Sequence, residues 1–215
     1  MPEAAGWAIF FLPLASFLII SLAVRPFFNR WNQWAGYITV LAIAGSLVLS
    51  LWALRTSAGA EGPLDWPSRP WLVVGGLEFR VGLLMDHLTA LMVVVVSGVS
   101  LLVQVYSIGY MRGDPGYARY FAFMSLFTAS MVGLVMARSI LQIFVFWELV
   151  GLCSYLLIGF WYHRPSAARA AVKAFVVTRL GDFGFLLALL YLFFHNGAFA
   201  AQGLNVLEIP DIHQA

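Results

Sequence analysis

Six runs of mostly apolar residues, each long enough to cross a bilayer, decide what this chain can be. A membrane helix needs about 20 such residues at about 1.5 Å rise each. The runs are Trp7 to Val24, Trp34 to Leu54, Val81 to Tyr110, Tyr120 to Ala137, Ile140 to Tyr162 and Ala170 to Phe194. Arg25-Pro26 ends the first and Arg55 the second. The third is long enough to tilt or to start among the headgroups. Only helices or closed barrels satisfy the backbone in lipid, and the two-residue alternation of a barrel strand is missing. The expected fold class is all-α, a polytopic membrane bundle of about six transmembrane helices.

Composition narrows the function. Charged residues make up 10% of the chain, where a soluble domain carries about a quarter. With 12 Lys+Arg against 10 Asp+Glu, the net charge of +2 offers nothing for a nucleic acid or another polyanion. Disordered chains and water-soluble enzymes are excluded too. The single cysteine, Cys153, rules out an internal disulfide and any paired-cysteine metal or redox motif. No two histidines fall at mid-span on facing helices, which argues against haem. Asp182-Phe183-Gly184 spells a kinase triplet, but inside an apolar helix it is a chance match.

One linker is long. Thr56 to Arg80 carries Gly62-Pro63, Trp66-Pro67, Pro70 and Gly75-Gly76, which reads as a surface loop with a small hairpin around Leu72 to Phe79. The tail, Asn196 to Ala215, reads as polar and loop-like with a short apolar patch from Val206-Leu207 to Ile209. The loops after spans one, three and five hold Arg25, Arg30, Arg112, Arg119, Arg164 and Arg169. The opposite side has Arg138, with Arg55, Arg69 and Arg80 spread along the longer loop. The positive-inside rule then sends both termini outward and the Arg-rich loops to the cytoplasm. Nothing before Gly6 is basic, so the first span reads as a retained helix and not as a cleaved signal.

A few ionisable residues lie where lipid should exclude them. Glu148 sits about nine residues into its span, roughly 13 Å deep at 1.5 Å per residue. A central acid costs about 2.5–3.5 kcal/mol to insert, so such residues face a polar interior and usually work there. A carboxyl able to change protonation at mid-membrane is what a proton relay needs. Arg179 and Asp182 are three apart on span six, on one face and able to pair. They fall within one or two turns of the depth of Glu148. That pair reads equally as a structural lock or as part of a proton path. Lys173 points away from Asp182 and near the cytoplasmic end could simply snorkel. Asp86-His87 reads as an interfacial cap, and His163, His195 and His213 as interface residues. Gly133, Gly151, Gly159, Gly181 and Gly184 read as close helix contacts.

Four stretches then carry a resemblance. They are Met85-Asp-His-Leu-Thr-Ala-Leu-Met, Val105-Tyr-Ser-Ile-Gly-Tyr-Met-Arg-Gly-Asp-Pro-Gly-Tyr-Ala-Arg-Tyr-Phe, Phe146-Trp-Glu-Leu-Val-Gly-Leu-Cys-Ser-Tyr-Leu-Leu-Ile-Gly-Phe and Lys173-Ala-Phe-Val-Val-Thr-Arg-Leu-Gly-Asp. Together, from about Gly76 to Phe194 and in one order, they resemble the subunit L (chain 5) family of the proton-pumping NADH:quinone oxidoreductases, respiratory complex I. The large subunits of sodium/proton antiporters and the plastid F subunit are relatives. The resemblance implies that Glu148 is the family's membrane glutamate, paired with a lysine on a seventh helix. It implies that Arg179 and Asp182 are the sixth-helix charged pair near the neighbouring antiporter-like subunit, and that Lys173 is a family lysine of the proton path. It implies a translocase subunit with no redox chemistry and no cofactor of its own. Quinone, NADH, flavin and iron–sulfur clusters would belong to other subunits.

The expected partners are other antiporter-like subunits, a subunit M type neighbour first, with lipid around them and the quinone-reducing arm indirectly. The expected place is the cell (inner) membrane, with a thylakoid membrane as alternative. The chain divides into 1–80, two leading helices and an external loop; 81–119, the third helix, a cytoplasmic loop and the chain 5 amino-terminal motif; and 120–215, the start of the antiporter-like domain. Gln104 stands where many members have histidine, and Ala137-Arg-Ser replaces Ala-Asp-Asn, a loop detail. Family members run several hundred residues further, so the chain reads as the front of a longer subunit whose seventh-helix lysine lies beyond it. The alternatives are an antiporter subunit and a truncated subunit kept for assembly.

Overall fold

The structure is a computed structural model that describes residues 1–25, 33–59, 62–74, 77–195, 197, 199 and 204–212. Arg30, Gly75-Gly76 and His213 lie outside the described residues. Six long helices follow one another: α1 (Glu3–Val24), α2 (Trp34–Ala58), α3 (His87–Tyr110), α4 (Tyr117–Val135), α5 (Ile140–Ile158) and α6 (Pro165–Phe194), all long and apolar enough to span a membrane. A short α7 (Ile209–Ile212) closes the chain. Between α2 and α3 lie strands β1 (Leu64–Asp65), β2 (Arg69–Val74), β3 (Leu77–Val81) and β4 (Leu84–Met85). The expected polytopic bundle is therefore present.

Local chemistry places the helix ends. Asp86 caps α3, its Oδ1 accepting from the Thr89 amide at 2.6 Å. Ser139 caps α5 by accepting from the Gln142 amide at 3.2 Å. Pro165 starts α6, where its missing N–H costs nothing. Inside α1, Pro13 cannot donate to the carbonyl four residues back, that of Ile9. Ser46 of α2 supplies the missing donor, its hydroxyl reaching the Ile9 carbonyl at 2.9 Å. The broken ladder bond of one helix thus becomes a fastening to the next, as lipid demands.

The helices pack in two groups. α1 lies against α2 and α4, α2 against α3, and α3 against α4; α5 adds to α4, and α6 to α5. Ile9, Val93, Val132 and Met136 fill the bundle near the strands, and Ile20, Met111 and Phe121 fill it at the Arg-rich end. α5 buries only Cys153, and α6 only Ala171 and Leu189, so the apolar outer faces of both are uncovered by the described residues.

Four expectations need correction. Span three begins at His87, not Val81, because Leu77–Val81 and Leu84–Met85 are spent on strand pairing. The hairpin is longer than Leu72 to Phe79, running from Arg69 paired with Val81 and irregular between Pro70 and Leu72, where proline has no amide to give. The tail is not a loose loop. The Ile140 amide donates to the Leu207 carbonyl at 2.9 Å, and Val206 and Leu207 are buried with Leu189. Gly181 and Gly184 meet no neighbour among the described residues, whereas Gly133, Gly151 and Gly159 do make close contacts.

Candidate proton-relay site

The antiparallel pair α5 and α6 carries the charged residues. On α5, Trp147, Glu148 and Gly151 share the face toward α6, at the three- and four-residue spacing of one helix side. On α6, Phe175, Arg179 and Asp182 recur at the same spacing toward α5. The two faces meet around a single guanidinium.

Arg179 is ion-paired with the Glu148 carboxylate through its Nη1. Its Nη2 donates to the Glu148 backbone carbonyl at 2.8 Å. The same Nη1 lies 3.6 Å from Asp182 Oδ2. The guanidinium stacks over the Phe175 ring at 4.6 Å from its centroid. The Trp147 indole N–H donates to Asp182 Oδ1 at 2.7 Å. Gly151 leaves room for all of this: a Cβ there would lie 3.1 Å from Arg179 Nη2.

The arithmetic of charge is what makes the cluster chemically interesting. Arginine stays protonated, so one fixed positive charge serves two carboxylates. With both carboxylates ionised the cluster carries one net negative charge; with one proton bound it is neutral. A proton can therefore be taken up or released while the guanidinium remains between the two acids. The side chains are part-buried, with 29% of Glu148, 24% of Arg179 and 14% of Asp182 exposed. Among the described residues no group of three or more His, Cys, Asp or Glu is placed to hold a metal.

The expected Arg179–Asp182 pair is present, and Glu148 joins it. Lys173 is exposed on α6 and stands apart from the cluster. Spacing did not reveal Trp147 or Phe175, whose roles depend on the rotation of one helix against the other. It did flag Gly151, but as a place for backbones to approach and not as a seat for a guanidinium.

A second ion pair lies at the strand end. Arg138 Nε is 3.2 Å from Glu208 Oε2, with side chains only 11% and 3% exposed. The Ser68 hydroxyl donates to Glu208 Oε1 at 2.6 Å, and Arg138 Nη1 donates to the Trp66 carbonyl at 3.1 Å. Arg138 is not a loop detail: it ties β-strand loop, α4–α5 corner and tail together.

Known proteins share the sequence and the fold of this chain. Residues 71–121 match the family described as NADH-ubiquinone oxidoreductase (complex I), chain 5 N-terminus. Residues 137–213 match the family described as NADH:quinone oxidoreductase/Mrp antiporter, TM. A chloroplast NAD(P)H-quinone oxidoreductase subunit 5 from Mesostigma viride is 45% identical over 197 residues, covering 90% of this chain and 30% of that protein. An NADH-quinone oxidoreductase subunit L from Neisseria meningitidis is 44% identical over 210 residues, covering 95% of this chain and 30% of that protein. The chain thus spans about 30% of the length of these curated relatives. Among solved structures, the Mrp complex from Dietzia aligns with a TM-score of 0.69 at 27% identity, over 90% of this chain and 19% of that one. The archaeal membrane-bound sulfane sulfur reductase aligns with a TM-score of 0.71 at 20% identity, over 89% of this chain and 37% of that one, a likeness of fold.

Proposed function

We propose, since the chain belongs to the chain 5 and subunit L family of NADH:quinone oxidoreductases, that it is the front of an antiporter-like membrane subunit that moves protons as electrons pass to quinone elsewhere in the complex. The observation that carries this reading is the odd-charged cluster of Glu148, Arg179 and Asp182 between two spanning helices. Glu148 is the switchable carboxyl. Arg179 is the fixed charge that two acids share, and a change in charge nearby shifts which of them it favours. Lys173 lies on the far side of α6 and serves the path only with a partner brought from outside the described residues. Flavin, iron–sulfur clusters, NADH and quinone are bound by other subunits.

The apolar outer faces of α5 and α6 suit lipid and neighbouring antiporter-like subunits, a subunit M type first. Both termini face outward. The arginines in and beside the loops after α1, α3 and α5, Arg25, Arg112, Arg119, Arg164 and Arg169 among them, support that orientation. Relatives from a chloroplast and from Synechocystis make a thylakoid membrane the alternative to a bacterial inner membrane.

The test is Glu148→Gln in the intact complex, read in inverted membrane vesicles. The expected result is normal assembly, retained electron transfer from the donor to quinone, and a several-fold lower proton gradient. Unchanged pumping at full assembly would remove Glu148 from the path. Sodium-driven proton exchange without donor oxidation would favour an antiporter like that of the Mrp complex.

A further inference from the structure

Gln104 has no role in the cluster above, yet its position is demanding. It lies on α3 with its side chain completely buried. Both amide atoms, Nε2 and Oε1, are enclosed and have no hydrogen-bond partner among the described residues. A primary amide offers two donors and an acceptor, and enclosing all of them unmet is expensive in an apolar bundle.

Nearby hydroxyls are already committed as donors. Ser107 and Tyr120 meet at 3.0 Å, and Ser100 and Thr128 at 2.5 Å, two α3–α4 pairs that bracket Gln104 along the helix. Ser107 also reaches the Val103 carbonyl at 2.7 Å, and Thr128 the Met124 carbonyl at 2.9 Å. Their lone pairs remain free to accept. The missing partner must both donate and accept, as water does. A cation fits less well, because the buried polar residues described on α1 to α4 are Ser, Thr and Gln, with no carboxylate among them.

There is a way in. A cavity of about 420 Å³ opens at the Arg-rich end, lined among others by Tyr37, Ile108, Arg112 and Tyr117. Ile108 follows Gln104 by one helical turn on the same face. The Tyr117 hydroxyl lies against Gly36, where no side chain could be added without collision. Ile108 and Tyr117 both line the cavity, and of its lining residues Ile108 stands one helical turn from Gln104.

We infer that Gln104 holds water in the α1–α4 core, at the inner end of a hydrated inlet that starts at this cavity and is separate from the Glu148 cluster. Two measurements on the intact membrane complex test it. A density map fine enough to show ordered water should place a peak about 2.7–3.2 Å from both Nε2 and Oε1 of Gln104. Brief radiolysis in oxygen-18 water, which oxidises side chains beside water, should label the half-buried Tyr120, whose hydroxyl meets Ser107, and Gln104→Leu should cut that label several-fold. An amide bonded directly to protein groups with no peak beside it would overturn the inference. So would Tyr120 labelling that Gln104→Leu leaves unchanged. If the variant fails to assemble, the wild-type map decides alone.

Discussion

Gly151 on α5 and Arg179 on α6 fit together as seat and occupant: a Cβ on the glycine would come within 3.1 Å of the guanidinium. The cluster exists because one helix gives up a side chain where the other inserts a charge. Replacing Gly151 with Leu should push the guanidinium off the Glu148 carbonyl, at an overpacking cost of about 1–3 kcal/mol. Proton pumping should fall to the level of an Arg179→Ala variant. Wild-type pumping in an assembled Gly151→Leu complex would show that the seat is unnecessary.

Arg179→Lys keeps the charge and loses the fork. A lysine is a point donor and cannot hold the Glu148 carboxylate and carbonyl while staying near Asp182. Each charge-assisted bond lost is worth about 1.5–3 kcal/mol, less here because the groups are partly exposed. Pumping should rank wild type, Arg179→Lys, Arg179→Ala in falling order. Equal rates for Lys and Arg would mean that only the charge matters.

Ser46→Ala should loosen α1 from α2. It strands the Ile9 carbonyl that Pro13 already leaves without its ladder donor. The expected loss is about 1–3 kcal/mol, read as a lower melting temperature of the detergent-solubilised complex. Adding Pro13→Ala restores the ladder donor and should recover much of that loss.

Arg138 and Glu208 should be replaceable only together. Breaking a buried pair from one side costs about 3–5 kcal/mol, since the other charge is left enclosed. Arg138→Glu or Glu208→Arg alone should sharply lower the amount of assembled complex on native gels. The double exchange should recover part of it. No recovery would assign the effect to Ser68 and the Trp66 carbonyl, which hold one partner each.

Cys153 is fully buried on the inner face of α5, 3.9 Å from the Ser130 hydroxyl of α4. A membrane-permeant maleimide should label it only after denaturation. Rapid labelling of the native complex would mean that the α4–α5 contact opens.

The six spans were legible because a spanning helix is a matter of length and apolarity, both properties of consecutive residues. Arg179–Asp182 was legible for the same reason, at three residues apart. Glu148 could be set at the right depth but not against Arg179, because depth says nothing of rotation. Val81 to Met85 looked helical because apolar residues serve a strand equally well, and the pairing partners at Leu64 and Arg69 are not neighbours in sequence. Arg138 was the plainest miss. Its partner Glu208 lies on the far side of two helices, and nothing local marks either residue as buried.

The segment after α6 does more than follow that helix. Its Leu207 carbonyl takes the amide of Ile140, the first residue of α5, and its Glu208 grips Arg138 two residues before that. Tension on this segment is delivered directly to the first turn of the helix that carries Glu148. It is a tether, through which movement beyond the sixth helix can tug on the glutamate's own rod.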